Sequence, residues 1–161
     1  MLLMRKAEKE DIPEIAKLYR SVIGMPGCLW NEYYPSEVEI CADIGAESLY
    51  LGVMEGELAC AVSVVPENEL DDESAWQIQG ENVREVARIV VAPKYQGRGL
   101  AAEALKVVME EMQSGGCRAV HLLVAKSNPA AISTYRKLGF RFLGECFRYG
   151  HDYFLCEKEL Q

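Results

Sequence analysis

Apolar residues recur every three or four positions over the segment 8–23, and this spacing predicts an amphipathic helix. Asp11 and Glu14 form a candidate capping pair, and the proline between them suits the first turn. The short apolar segment 2–7 before this helix predicts an opening strand. A second helix is predicted over 35–46, where the helical spacing is less regular.

The middle and the end of the chain change between strand patterns and helix patterns. Alternating apolar and polar residues around the turn Glu55-Gly56 predict a β-hairpin over 48–65. The elements that follow are a strand, a helix, a strand, a helix and two closing strands, over 85–91, 98–116, 119–125, 128–140, 140–147 and 151–160.

This order of elements predicts the fold class. A strand, a helix and another strand in succession over 85–125 imply a right-handed parallel crossover, and the flanking hairpins imply antiparallel neighbours. The sequence therefore predicts an α/β fold with one mixed, twisted sheet and helices on its faces.

Length and composition limit the kind of protein. With 161 residues, half of them hydrophobic, the chain fits one domain over 1–161 with a buried core. No apolar run approaches the roughly 18 residues of a membrane-spanning helix. Charge at Arg5 and Lys6 interrupts the apolar core that a signal peptide needs, so we expect a cytoplasmic protein with no membrane partner. The six cysteines lack paired spacing and are expected to be reduced.

The balance of charge bears on the partners. Acidic residues outnumber basic ones by 25 to 17, and the net charge of −8 disfavours nucleic acid. It is compatible with a cationic substrate such as an amine, or with a charge that only maintains solubility. Five acids lie within 67–73, which predicts a solvated loop or a rim that attracts cations. His121 and His151 are isolated, and we expect no metal site.

The segment 88–105 contains the string G-x-G-x-x-A between a strand pattern and a helix pattern. A dinucleotide-binding loop would begin directly after its strand, with an acid about 20 residues further on. Here five residues, 92–96, precede Gly97, and 119–121 contain no carboxylate, so the pattern disfavours a nicotinamide-dependent dehydrogenase. Two glycines at the start of a helix still predict an anion site, because free N–H groups and the helix dipole attract negative charge. A simple turn is the alternative.

Two motifs carry a resemblance to a known family. The string VAPKYQGRGLA resembles the acetyl-CoA signature of the GNAT N-acetyltransferase superfamily, with Gln96, Gly99 and Ala101 at its three defined positions. The string SNPAAISTYRKLGFRFLGE is similar to the family's second signature, an asparagine, then a tyrosine in a helix, then L-G-F. The motifs lie about 30 residues apart, and the element order matches over nearly the whole chain.

The resemblance implies a GNAT-like sheet of about seven strands, whose parallel fourth and fifth strands splay apart to admit acetyl-CoA. The pantetheine arm would pair with the backbone of the fourth strand, as a peptide does in β-augmentation. The amides of the next loop would bind the pyrophosphate, and Asn128 would bind the pantetheine arm or only cap its helix. The implied cofactor-binding residues are Ile89, Val90, Val91, Gln96, Gly97, Arg98, Gly99, Leu100, Ala101 and Asn128.

The resemblance also implies a reaction, the direct attack of an amine on the thioester of acetyl-CoA without a metal. Tyr135 would be the general acid that protonates the leaving thiolate, although its helical position equally suits a packed aromatic residue. Glu85, at the start of the fourth strand, would be the general base, with Glu81 as a second candidate. An amide near Ile89 would donate to the oxyanion.

We expect an N-acetyltransferase that acts on the primary amine of a small molecule. The alternatives are a transferase for protein or peptide amines, and a non-catalytic module that senses acyl-CoA. A homodimer is compatible with either. Four aromatic residues in the acceptor region would line the acceptor site or simply pack, namely Trp30, Tyr33, Tyr34 and Trp76.

Overall fold

The elements of the structure follow the predicted order. A computed structural model describes residues 1–65 and 69–160. Its strands and helices are β1 (Leu3–Lys6), α1 (Ile12–Ser21), α2 (Glu37–Gly45), β2 (Leu49–Met54), β3 (Glu57–Val65), β4 (Val83–Val91), α3 (Leu100–Ser114), β5 (Ala119–Ala125), α4 (Pro129–Lys137), β6 (Arg141–Arg148) and β7 (His151–Glu159).

The seven strands form one sheet in the order β1-β2-β3-β4-β5-β7-β6, and β4 and β5 are parallel. These two strands pair only from Val83 opposite Ala119 to Glu85 opposite His121. Beyond that point β4 pairs only with β3, and β5 pairs only with β7. The two strands therefore splay into an open fork, which confirms the predicted mixed sheet.

A bulge interrupts β4 inside the fork. The pairing of β3 with β4 shifts register between Ala61 and Ser63, and Arg88 of β4 has a φ of 49°. Val86 and Ile89 both pack on the α3 side of the sheet although three positions separate them. A regular strand would place them on opposite faces, so the bulge adds one residue and turns the second half of β4 over.

The two faces of the sheet are covered differently. Helices α3 and α4 cover one face with a continuous apolar cluster that includes Leu105 and Val108. On the other face, α1 and α2 cover only the half that contains β2, β3 and the end of β4. The other half lies under residues 69–79, the covering segment, whose Leu70 and Trp76 pack against Leu155 of β7.

The predicted capping pair at α1 is wrong. Asp11 accepts from the amide of Glu8 at 2.8 Å, so the cap closes a 3-10 turn over Lys9–Asp11 that precedes α1. Asp11 also accepts from Arg5 of β1 at 2.8 Å, and this partner across the fold determines where its carboxylate points. A local pattern carries no information on that contact.

The structure also bears on the cysteines, on metal-binding groups and on membrane-spanning helices. None of the six cysteines is in a disulfide, and of the six only Cys60 and Cys156 are buried. Within residues 1–65 and 69–160, no group of three or more histidines, cysteines or acids is arranged to hold a metal ion. No helix in the same residues is long and apolar enough to cross a membrane.

Candidate active site

The turn between β4 and α3 presents backbone N–H groups to open space. Gly97 and Gly99 have φ angles of 78° and 75°, and a Cβ at either position would meet no atom within 4 Å. Gly99 is the N-cap of α3, and the amides of residues 97–102 find no protein acceptor in the described part of the chain. This arrangement suits an anionic group, because free N–H groups at the start of a helix and the helix dipole attract negative charge.

Side chains hold this turn from behind. Gln96 donates to the carbonyl of Val91 at 3.0 Å and so ties the turn to the end of β4. Tyr95 is buried, and its hydroxyl donates to Glu57 at 2.9 Å. Lys94 pairs with the same carboxylate. Lys94 and Arg98 are the two basic residues of this turn that could add charge to the site, and Lys94 is already paired within the protein.

The predicted β4 contacts lie at the fork. Val90 and Val91 pair with β3 along one edge of β4, opposite Ala61 and Cys60. Their other edge lies past the last pair between β4 and β5, so it faces the opening. Ile89 follows the bulge directly. The backbone here can accept an extended chain as an added strand, the geometry that β-augmentation requires.

Asn128 begins the helix on the β5 side of the fork. Its Oδ1 accepts from the amide of Ala131 at 3.2 Å, so the capping role is present in the structure. The loop between α1 and α2 lies against it: a Cβ on Gly27 would come within 2.8 Å of Asn128 Cγ. In the same loop, Met25 Sδ lies 3.9 Å from Gln96 Nε2. This loop therefore contacts both sides of the fork, the turn that follows β4 and the start of α4 that follows β5. No sequence pattern indicated these contacts.

Tyr135 lies in α4 within the apolar cluster on the α3 side of the sheet. Its ring packs edge-on against Phe140, with centroids 5.7 Å apart. Burial raises the pKa of Tyr135, and its hydroxyl has no hydrogen-bond partner among residues 1–65 and 69–160. The phenol therefore stays protonated and is able to donate to a thiolate, although the raised pKa makes it a weaker acid than an ordinary tyrosine, and the packing role is present as well.

Glu85 occupies the last paired position before β4 and β5 separate. Burial, and next the negative charge of Glu69, raise the pKa of Glu85 to about 7, while Arg88 opposes them. A carboxylate that titrates near neutral pH is suited to accept a proton from an amine. Glu81 is exposed in the turn before β4 and lacks this environment.

Arg88 is the residue at the bulge, and sequence patterns did not single it out. It makes three hydrogen bonds with the carboxylate of Asp43 in α2, of 2.7, 2.8 and 3.1 Å. Ser63 donates to the same carboxylate at 2.8 Å. Arg88 also donates to the hydroxyl of Tyr34 at 3.1 Å, which connects the bulge to the loop between α1 and α2.

The described acids of the stretch 67–73 lie near Glu85, on which Glu69 and Asp71 act electrostatically. Glu67 lies outside the described residues. Arg148, at the end of β6, pairs with Asp72 and also with Glu73 at 2.9 Å, while the hydroxyl of Tyr149 donates to Glu69 at 3.0 Å. The described part is therefore docked on the hairpin of β6 and β7.

A buried polar cluster anchors the covering segment. His121 Nε2 lies 2.9 Å from Glu157, and the ring of Trp76 stacks on the imidazole at 3.8 Å between centroids. Glu157 also accepts from the amides of Gln77 and Ile78, at 3.1 and 3.0 Å. Burial lowers the pKa of His121, so a neutral imidazole donates to Glu157. Both His121 and Trp76 thus have structural roles.

The other predicted aromatic residues do not form one wall. Trp30 packs edge-on against Tyr19, with centroids 5.2 Å apart. Tyr34 binds Arg88, whereas the side chain of Tyr33 is 79% exposed. Tyr34 therefore contacts the bulge of β4, and Trp76 stacks on His121, the β5 partner of Glu85, whereas no such contact is present for Trp30 and Tyr33 within residues 1–65 and 69–160.

Comparisons with known proteins agree with this geometry. Residues 14–140 match the model of the acetyltransferase (GNAT) family. Spermidine N(1)-acetyltransferase of Escherichia coli K12 is 29% identical over 161 residues, covering 94% of this chain and 77% of the relative.

Solved structures share the fold. A GNAT-family acetyltransferase from Streptococcus agalactiae superposes with a TM-score of 0.85 at 22% identity, covering 99% of this chain and 96% of the other. YncA from Salmonella typhimurium, solved with its cofactor acetyl-CoA, gives a TM-score of 0.78 at 18% identity, covering 100% of this chain and 95% of the other.

Proposed function

Because the chain belongs to the GNAT acetyltransferase family, we propose that it transfers the acetyl group of acetyl-CoA to the primary amine of a small cationic molecule. The observation that carries this proposal is the position of Glu85. Its carboxylate titrates near neutral pH at the point where β4 and β5 separate, and two further acids, Glu69 and Asp71, act on it electrostatically.

The residues at the fork fit acetyl-CoA. The free amides of residues 97–102, with open space above Gly97 and Gly99, would hold the pyrophosphate. The unpaired edge of β4 at residues 89–91 would hold the pantetheine arm. When bound, acetyl-CoA supplies a thioester carbonyl that an amine can attack.

The side chains around the fork would then move two protons. Glu85 accepts the proton of the attacking amine, which makes the nitrogen nucleophilic. The amide near Ile89 donates to the carbonyl oxygen as that oxygen gains charge. Tyr135, kept protonated by burial, donates to the leaving thiolate.

The acceptor class is supported by charge and by similarity. Glu69 and Asp71 are acidic residues that act electrostatically on Glu85, which favours a cation over an anion as the acceptor. The Escherichia coli relative is named for spermidine, a small molecule with several amines. These observations favour a small amine over a protein or peptide amine.

The proposal is tested by the release of thiol from acetyl-CoA with spermidine, simple monoamines and peptides with free N-termini as acceptors. We expect acetylation of the small amines, with a rate that rises as the pH passes about 7, because Glu85 must lose its proton to act as a base. Glu85→Gln should lower kcat/KM by about 100-fold or more, and the exposed Glu81→Gln is the matched control.

Each other outcome changes a different part of the proposal. Preferential acetylation of peptides would overturn the acceptor class. Tight binding of acetyl-CoA in calorimetry without acetylation of any acceptor would favour the acyl-CoA sensor. Absence of acetyl-CoA binding would overturn the assignment of acetyl-CoA as the acetyl donor.

A further inference from the structure

Arg88 is a cation with only 12% of its side chain exposed, placed inside the fork. Its φ of 49° lies in the left-handed region, which a residue with a Cβ adopts only when surrounding contacts hold it there. Those contacts are visible: Asp43 on α2 makes a bidentate pair with the guanidinium, and Tyr34 accepts a further hydrogen bond.

The bulge and Glu85 share one face of the sheet. Val86 points to the α3 side, so Glu85 beside it points to the opposite face, where Asp43 of α2 also lies. Arg88 reaches Asp43 and therefore points to this same face. Its charge favours the ionised form of Glu85, and burial and the nearby acids oppose it.

We propose that Arg88 is a positioning residue of the transfer reaction: held at the bulge of β4 by Asp43 and Tyr34, it keeps a positive charge at a fixed place on the face of the sheet that carries Glu85. This inference rests on the proposed role of Glu85 as the base. Arg88 acts through Glu85 and through the backbone that precedes the amide of Ile89, and it needs no contact with either substrate.

The charges of the ion pair provide a test with opposite signs. Asp43→Asn leaves the charge of Arg88 without its compensating carboxylate, so the pKa of Glu85 should fall. The double variant Arg88→Met with Asp43→Asn removes both charges, so the pKa of Glu85 should rise. Each shift should be roughly half a unit to one unit. Arg88→Met alone is avoided because it would leave the carboxylate of Asp43 buried with Ser63 as its remaining side-chain donor. Asp43→Asn leaves a buried guanidinium, but the amide oxygen of asparagine can still accept from Arg88, and Tyr34 keeps its hydrogen bond.

The titration is measured by 13C NMR of side-chain carboxyl groups in the protein without cofactor, with Glu85→Gln to assign the signal. Several titratable or charged groups face Glu85, and all of them except Arg88 are the same in both variants. They are Arg88 on β4, His121 on β5, Glu69 and Asp71 in the covering segment, Arg148 on β6 and Tyr149 in the turn after it.

A purely structural role would disturb the site in the same way in both variants, because both break the pair. Shifts in opposite directions support the proposal. Shifts in one direction, or an unchanged titration of Glu85 in either variant, overturn it. Since the measurement needs neither acetyl-CoA nor an acceptor, its failure is distinct from a failure of acetyl transfer, which the thiol assay reports.

Discussion

The two arms of the fork, β4 with the turn after it and β5 with the start of α4, contribute to the proposed acetyl-CoA site in different ways. The β4 arm offers main chain: free amides over residues 97–102, with nothing within 4 Å of a Cβ at either glycine. The β5 arm offers side chains that also hold the fold, since Asn128 caps α4 and Tyr135 packs in the apolar cluster.

This difference determines which substitutions each arm tolerates. A site made of amides depends on the shape of the backbone, so it tolerates the loss of a side chain and not a change of φ. In a site made of side chains that also pack in the core or cap a helix, a substitution that weakens binding also lowers the stability of the fold. Four substitutions test this contrast. Two change the β4 arm, one changes the β5 arm, and one changes the loop that packs against the β5 arm.

The largest effect is expected for Gly99→Val in the β4 arm. A β-branched residue is strained at a φ of 75°, and its side chain would occupy the space that a phosphate needs. Calorimetry should show no measurable binding of acetyl-CoA. Gly56→Val, at a φ of 79° in the turn between β2 and β3, is the matched control, with similar strain and retained binding. Equal affinity in the two variants would contradict the proposed site.

Tyr135→Phe in the β5 arm should separate catalysis from binding. Phenylalanine keeps the packing against Phe140 and removes only the hydroxyl, so stability and acetyl-CoA affinity should change little. Loss of the general acid should lower kcat by roughly 100-fold. Tyr50→Phe, in the same apolar cluster but on β2, is the control for packing. An unchanged kcat would leave Tyr135 with a packing role alone.

Gly27→Ala should disturb the β5 arm from outside. Its new Cβ would come 2.8 Å from Asn128 Cγ, so Asn128 must move and its cap on α4 weakens. A lost cap costs about 1 kcal/mol, and we expect a lower melting temperature together with about tenfold weaker acetyl-CoA binding. Gly24→Ala has a comparable φ of 86° and meets no atom within 4 Å, so it carries the strain without the contact. Equal melting temperatures and equal acetyl-CoA affinities in Gly27→Ala and Gly24→Ala would contradict the proposed link between the cap on α4 and acetyl-CoA binding.

The smallest effect is expected for Arg98→Ala, in which the β4 arm loses an exposed charge and keeps its amides. Exposed ionic contacts contribute about 0–1 kcal/mol, so acetyl-CoA affinity should fall by fivefold at most and depend weakly on salt. A loss as large as that of Gly99→Val would show that side chains, rather than the main chain, dominate this arm.

The β4 arm is also the part that sequence predicts best. A glycine-rich turn after an apolar strand, followed by a helical pattern, is local information, and the structure places Gly99 at the N-cap of α3. The strand 119–125 and the cap at Asn128 were predicted for the same reason. Periodicity reports which face a residue buries and how the backbone runs at that point.

What the sequence could not predict depends on partners far apart in the chain. The pair of Arg88 with Asp43 joins residues 45 positions apart, and neither belongs to a motif. Trp76 was a candidate for the acceptor wall, yet it stacks on His121 because the covering segment lies over β5. An apolar pattern shows that a residue needs a neighbour, and the packing of the sheet determines which neighbour it has.

The covering segment is fastened at both of its ends. Trp76 on His121 and two amides on Glu157 hold the end near β4, while Arg148 and Tyr149 hold Asp72, Glu73 and Glu69 at the other. Leu70, between those acids, is fully buried against Trp76 and Leu155. For protein engineering, an exchange of residues 69–73 as a block would therefore remove a core leucine, and a single substitution at the exposed Asp71 is the milder way to vary the charge beside Glu85.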